Sequence, residues 1–223
     1  MASEVDICNL ALAGLGDDAN ISSINPPDGT AQAAHCSRFY PVARDALLEM
    51  HSWSFCTKRA SLALLTITVP TEWLYAYAAP SDAVNFIAVL DPLALDDYSY
   101  GVAPYASATG ADSNSIGVYT PQEYDVEALP DGSSVIYSNQ ANAVLRYTTI
   151  VTDTTQFSPT FILGLSALLQ TMLAGPIIKG AEGIKVAQAK MQEFRMWKAE
   201  ATTSDANQRK LKVAPAVSWM ANR

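Results

Sequence analysis

Not one lysine or arginine occurs between Ala60 and Leu145, although the chain of 223 residues has fourteen of them. The same stretch holds ten acids: Glu72, Asp82, Asp91, Asp96, Asp97, Asp112, Glu123, Asp125, Glu127 and Asp131. The middle therefore sums to −10 and the flanks to +2, for a net charge of −8. A chain so charged is not built to grip nucleic acid broadly through phosphates. Its split suggests different neighbours for different parts. Cysteine is scarce too. Cys8, Cys36 and Cys56 are odd in number and share no CxxC spacing, which speaks against a disulfide framework or structural zinc site. Cys8 and Cys36 lie on apolar helical stripes and read as small buried hydrophobes, in keeping with a reducing compartment.

Catalytic constellations are also missing. The two histidines, His35 and His51, sit in no HExxH pattern, and there is no GxSxG elbow. His35 reads as a helix or interface histidine and His51 as a loop residue. Gly14 and Gly16 follow a helix, the wrong context for a dinucleotide fingerprint. Asp96 and Asp97 are adjacent carboxylates, but no acid stands at a supporting metal-loop spacing, and a solvated turn is the simpler reading. The sequence implies no catalytic residue, no cofactor and no metal. The start of the chain has acids and no basic n-region, so no secretory signal is expected.

What is present is enough apolar residue, 49% of the chain, for a substantial core. Val5, Cys8, Leu12 and Leu15 recur at helical spacing, with Ser3 as N-cap, Asp6 in the first turn, and Gly14 and Gly16 at the exit. A second helix should begin near Gly29 or Thr30 with the stripe Ala33, Cys36, Tyr40, Ala43, Leu47, kinked or broken at Pro41. Ser158 and Pro159 open a third helix with a broad apolar face from Phe161 to Leu173. Its length approaches that of a membrane span, but Ser166, Gln170 and Thr171 interrupt it, and a buried core helix is expected. A fourth helix follows Gly180, with Ile184, Ala187, Met191, Phe194, Trp197 and Ala201 facing inward.

The middle reads as strands and loops. Candidate strands are Trp73 to Ala79, Val84 to Leu90, Ile116 to Tyr119, Tyr124 to Glu127, Ser134 to Tyr137 and Ala143 to Ile150, the last two forming a hairpin. Tyr98 to Ser115 reads as a long exposed loop. The expected fold class is α+β: a helical bundle from the N- and C-terminal flanks (1–59 and 151–205), an inserted acidic β-rich region (60–150), and an extended C-terminal arm (206–223).

Several segments carry a resemblance. They are Asp6-Ile7-Cys8-Asn9-Leu10-Ala11-Leu12 with Gly14-Leu15-Gly16, and Tyr40-Pro41-Val42-Ala43-Arg44-Asp45-Ala46-Leu47-Leu48. Then come His51-Ser52-Trp53-Ser54-Phe55, Lys58-Arg59-Ala60, and Trp73-Leu74-Tyr75-Ala76-Tyr77 followed by Pro80-Ser81-Asp82. Last are Leu145-Arg146-Tyr147 and Val151-Thr152-Asp153 with Phe157 and Pro159. In this order and spacing they resemble, over nearly the full length, the tail tubular protein A family, the head-to-tail adaptors of short-tailed bacteriophages. The chain departs from the family in the uncharged strand Asn85 to Leu90 and in the length of the Tyr98 to Ser115 loop.

The resemblance implies a structural virion protein of the phage neck, assembled in the host cytoplasm, with no enzymatic activity and no membrane. It implies a homo-oligomeric ring of about twelve copies. The portal protein lies above the ring, a tail or nozzle protein lies below, and DNA passes through without specific binding. The acidic middle suits such a channel because it repels the duplex. Asp91, Asp96, Asp97, Asp112, Glu123, Asp125 and Glu127 are the channel-lining candidates. The C-terminal segment carries Arg209, Lys210, Lys212 and Arg223 with no acid after Asp205, and also Pro215 and Trp219. These six residues are the candidate portal-binding set. The competing readings are a virion-associated glycan or cell-wall hydrolase, which would need a carboxylate pair drawn from Asp91, Asp96 and Asp97, and a cellular interaction module.

Overall fold

The computed structural model describes residues 2–18, 20–92 and 122–208. The protein is a mixture of helix and sheet, divided into two compact units. One is helical and draws on both ends of the chain, Ala2–Tyr40 and Phe157 onward; the other is the middle, Pro41–Gln156. The sequence placed this boundary at residue 59/60; by contacts the first division falls at Tyr40/Pro41, inside a helix.

In the helical unit, α1 (Glu4–Ala13) opens on a full capping box. The Ser3 hydroxyl accepts from the Asp6 N–H, and the Asp6 carboxylate accepts from the Ser3 N–H at 2.8 Å. Its buried face is Ile7, Cys8, Ala11 and Leu12, rotated from the stripe expected through Val5 and Leu15. α2 (Ala31–Glu49) starts where the Thr30 hydroxyl accepts from the Ala33 N–H. It runs through Pro41 without a break. Only one intrahelical donor is lost at a proline, and buried Tyr40, Ala43 and Leu47 hold the segment on either side.

α3 (Pro159–Ile178) begins on Ser158, whose hydroxyl accepts from the Phe161 N–H, and packs against both α1 and α4 (Gly180–Asn207). α3 is long and apolar enough to cross a membrane, and ten of its residues are buried within the protein. Lys179 and Gly180 take positive φ, 60° and 64°, to reverse the chain between α3 and α4. There the helices touch closely: a Cβ on Gly183 would lie 3.0 Å from the Ala174 carbonyl oxygen. Of the six α4 residues expected to face inward, Phe194 and Ala201 are buried, whereas Ile184 is 63% exposed.

The middle unit holds two antiparallel sheets. The first has the order β1 (Thr57–Ser61), β7 (Val144–Thr149), β4 (Ala83–Leu90); the second has β2 (Ala63–Leu64), β3 (Tyr75–Ala78), β6 (Ser134–Ser138), β5 (Tyr124–Ala128). Val89, Leu145 and Tyr147 of the first sheet form one core with Tyr77 and Ile136 of the second, so the sheets face each other. The opposite face of the second sheet, Ala76, Val135 and Tyr137, is covered by Leu65, Val69, Trp73 and Leu129.

The expected hairpin between Ser134–Tyr137 and Ala143–Ile150 does not form. β6 pairs with β3 and β5, and β7 pairs with β1 and β4. Ile136 and Leu145 belong to opposite walls of one core, so the connecting residues cross between the sheets, with Asn142 at φ 51°. The chain makes a second crossing at Leu62, between β1 and β2, where the Leu62 N–H donates to the Ala143 carbonyl at 2.9 Å.

Candidate functional site

Among the described residues of the middle unit, the strongest convergence of polar side chains is at Asp82, in the turn that precedes β4. Its carboxylate accepts from the Tyr147 hydroxyl at 3.1 Å, the Thr149 hydroxyl at 3.1 Å and the Lys58 ammonium at 3.3 Å. The register explains the meeting. Lys58 on β1 lies opposite Tyr147 on β7, and Ala83 on β4 lies opposite Thr149. One carboxylate therefore ties all three strands of the first sheet. Partial burial pushes its pKa up, but the three donors outweigh that and hold it below the ordinary aspartate value.

Lys58, Asp82 and Tyr147 come from three of the separate segments that carry the family resemblance. Other residues of those segments also have structural tasks. The Trp53 indole N–H donates to the Leu47 carbonyl at 2.9 Å, and His51 sets its ring edge-on to Trp53 at 4.8 Å. The Asp153 carboxylate accepts from the Thr155 N–H, and Phe157 packs its ring on Phe161 at 4.7 Å. Asn9 accepts from the Ile21 N–H and donates to the Ile21 carbonyl, tying α1 to the following loop. His35, on α2, stacks on Phe39 with ring centres 6.4 Å apart.

Among the channel-lining candidates, Asp125 and Glu127 lie on β5, an edge of the second sheet, and Glu123 immediately precedes it. All three are exposed, and their spacing of two puts them on one side of the strand, roughly 7 Å apart. Tyr124 and Val126 turn the other way, into the core between the sheets. Asp91 is apart from this row, after β4, where its carboxylate accepts from the Gln140 side chain at 3.1 Å. Asp96, Asp97 and Asp112 lie outside the described residues, as do all six portal-binding candidates, Arg209, Lys210, Lys212, Pro215, Trp219 and Arg223.

Cys8 on α1 and Cys36 on α2 are fully buried, as the sequence reading expected. Two features escaped that reading. A shallow apolar groove of about 380 Å³ runs between α3 and α4, lined by Met172, Gly183, Ile184, Ala187 and Met191 among others. The Asp82 cluster was visible only as one acid among ten, because sequence spacing does not show which strands pair. Among the described residues no group of three or more His, Cys, Asp or Glu side chains is placed to hold a metal ion. Compared with protein-family models and with curated proteins, the chain finds no match in either.

Proposed function

We propose that this protein is a ring subunit of a bacteriophage head-to-tail adaptor, a structural part of the virion that joins the portal to the tail and lets DNA through its channel. The observation that carries the reading is the meeting of Lys58, Asp82 and Tyr147. These three residues come from separate strings of the resemblance, and together they hold neighbouring strands of one sheet. In this reading the helical unit from the two flanks is the bundle, and the acidic β-rich middle is its insertion.

The charge distribution supports the same reading. The row Glu123, Asp125, Glu127 stands exposed on an edge strand, in a stretch without a single base. A surface of this sign keeps a sliding duplex from sticking. The segment beyond α4, with Arg209, Lys210, Lys212, Pro215, Trp219 and Arg223, is the docking arm for the portal.

The deciding experiment is the mass of the assembly, by native mass spectrometry and negative-stain imaging, of the full chain alone and mixed with portal protein. A closed ring on the portal is the expected result. A monomer at all concentrations, with no ring on the portal, sinks the proposal. Truncation after Gln208 should leave the melting curve nearly unchanged and abolish portal binding.

A further inference from the structure

We propose that Asp131 is a site of spontaneous isomerisation to isoaspartate, and that the fold shields the same dipeptide at Asp28. Asp-Gly occurs twice in the chain, as Asp28-Gly29 and Asp131-Gly132. The two glycines are alike: both take positive φ, 94° and 84°, and both lie in open space. The carboxylates differ. One oxygen of Asp28 accepts from the Ser22 N–H at 2.8 Å and the Ser22 hydroxyl at 3.2 Å. The other accepts from the Thr30 N–H at 3.0 Å and the Thr30 hydroxyl at 2.7 Å. Asp28 thus clamps a loop that Asn9 already fixes to α1 through Ile21. At Asp131 one oxygen accepts from the Ser133 N–H at 2.9 Å and the Ser133 hydroxyl at 2.6 Å, and among the described residues nothing donates to the other. Asp131 stands exposed in the turn between β5 and β6, and its bonds stay within that turn.

The reaction needs no partner and no oxidant. The Gly132 nitrogen attacks Cγ of the protonated Asp131 carboxyl and loses its proton. The N–Cγ bond forms, the Cγ–OH bond breaks, and one water leaves, giving a cyclic imide. A second water then opens the ring. Opening at Cγ restores aspartate; opening at the α-carbonyl leaves the main chain running through Cγ, which is isoaspartate. For the attack, the Gly132 N–H must release the Leu129 carbonyl at 2.9 Å, and Asp131 must turn from Ser133; both bonds are local to the turn. At Asp28 the same rotation breaks all four bonds of the clamp. Hydrogen bonds from Ser22 and Thr30 also hold the Asp28 carboxyl well below the ordinary aspartate range, which starves the reaction of its protonated form. The added methylene enters the main chain beside β5, the strand of the exposed acidic row. The inference does not rest on the ring reading.

The test stores the intact chain for weeks at neutral pH and body temperature, natively and in guanidinium chloride, and digests samples with trypsin. Asp28 falls on the peptide Met1–Arg38 and Asp131 on Ala60–Arg146, so the two sites separate. Isoaspartate is located by its diagnostic electron-transfer fragments, and the imide by the loss of one water. In guanidinium both sites should isomerise. In the native chain isoaspartate should accumulate at position 131 and not at 28. Ser133→Ala, which removes the shorter of the two bonds to Asp131, should speed the native reaction there. Native isomerisation at position 28 as fast as at 131 overturns the proposal. So does a native chain that forms no isoaspartate at 131 while the denatured chain does.

Discussion

The two units are held together by different kinds of polar contact. In the helical unit such bonds are short in sequence: Ser3 with Asp6, Ser158 with Phe161, Asn9 with Ile21. In the middle unit they span most of the unit. Tyr147 and Thr149 reach back to Asp82, Asn85 to Thr148, and Tyr77 to Gln140. Helices satisfy their own backbone and need side chains chiefly at their ends, whereas a sheet is assembled from distant strands. A substitution in the first unit is thus felt mainly through packing. In the second, one side chain can loosen several strands together.

The largest effect is expected where the middle unit depends on packing as well as on a hydrogen bond. Trp53 is 1% exposed and its indole is bonded to Leu47. Trp53→Ala should cost about 3–5 kcal/mol in denaturant unfolding, and a loss below about 1 kcal/mol would show that its surroundings collapse into the space. Next comes the close approach of α3 and α4. Gly183→Val should cost roughly 1–3 kcal/mol, because the obstacle is the backbone oxygen of Ala174 and not a side chain that can swing away. If the variant melts like the parent, the helices can separate at no cost and the packing account of the helical unit is wrong.

Asp82 sharpens the other half of the comparison. Asp82→Ala should cost about 1–2 kcal/mol, less than three charge-assisted bonds in a dry interior, because the carboxylate is 45% exposed. Its folded pKa lies below the unfolded one, so its contribution is complete above the unfolded value near 4. That contribution fades as the pH falls through the folded value. Acid unfolding followed by tyrosine fluorescence should be less steep below about pH 4 in Asp82→Asn than in the parent. Superimposable acid curves would remove Asp82 as the tie. The smallest effect belongs to the exposed row. Glu123→Gln, Asp125→Asn and Glu127→Gln together should change subunit stability by no more than about 0.5 kcal/mol. A large loss would make the row structural and take these three acids from the channel reading.

Local signals in the sequence carried over well wherever one residue decides the outcome. Ser3 with Asp6, Ser158 with Pro159, and the glycines after α1 marked helix ends because caps act within a turn. β4 to β7 were legible from apolar and β-branched runs. β1 was not, since Lys58-Arg59 interrupts its pattern and its partner β7 lies far along the chain. The false hairpin arose because two nearby strands normally pair, whereas here Ile136 and Leu145 must face one another across the core. Exposure of Ile184 was illegible for a related reason: periodicity names an apolar face of α4 without saying whether anything covers it. The candidate site was legible as residue types and strand parity at Glu123, Asp125 and Glu127, but not as the cluster at Asp82.

The helical unit is discontinuous along the chain, and this bears on the order in which the molecule can be made. α1 emerges from the ribosome some 150 residues before α3, the helix it packs against. All seven strands among the described residues have emerged once Thr149 has, before α3 begins at Pro159. During synthesis, then, the middle of the chain is free to close while the first helix is still waiting with an uncovered apolar face. The strands of the middle unit are therefore complete before the helical unit can be.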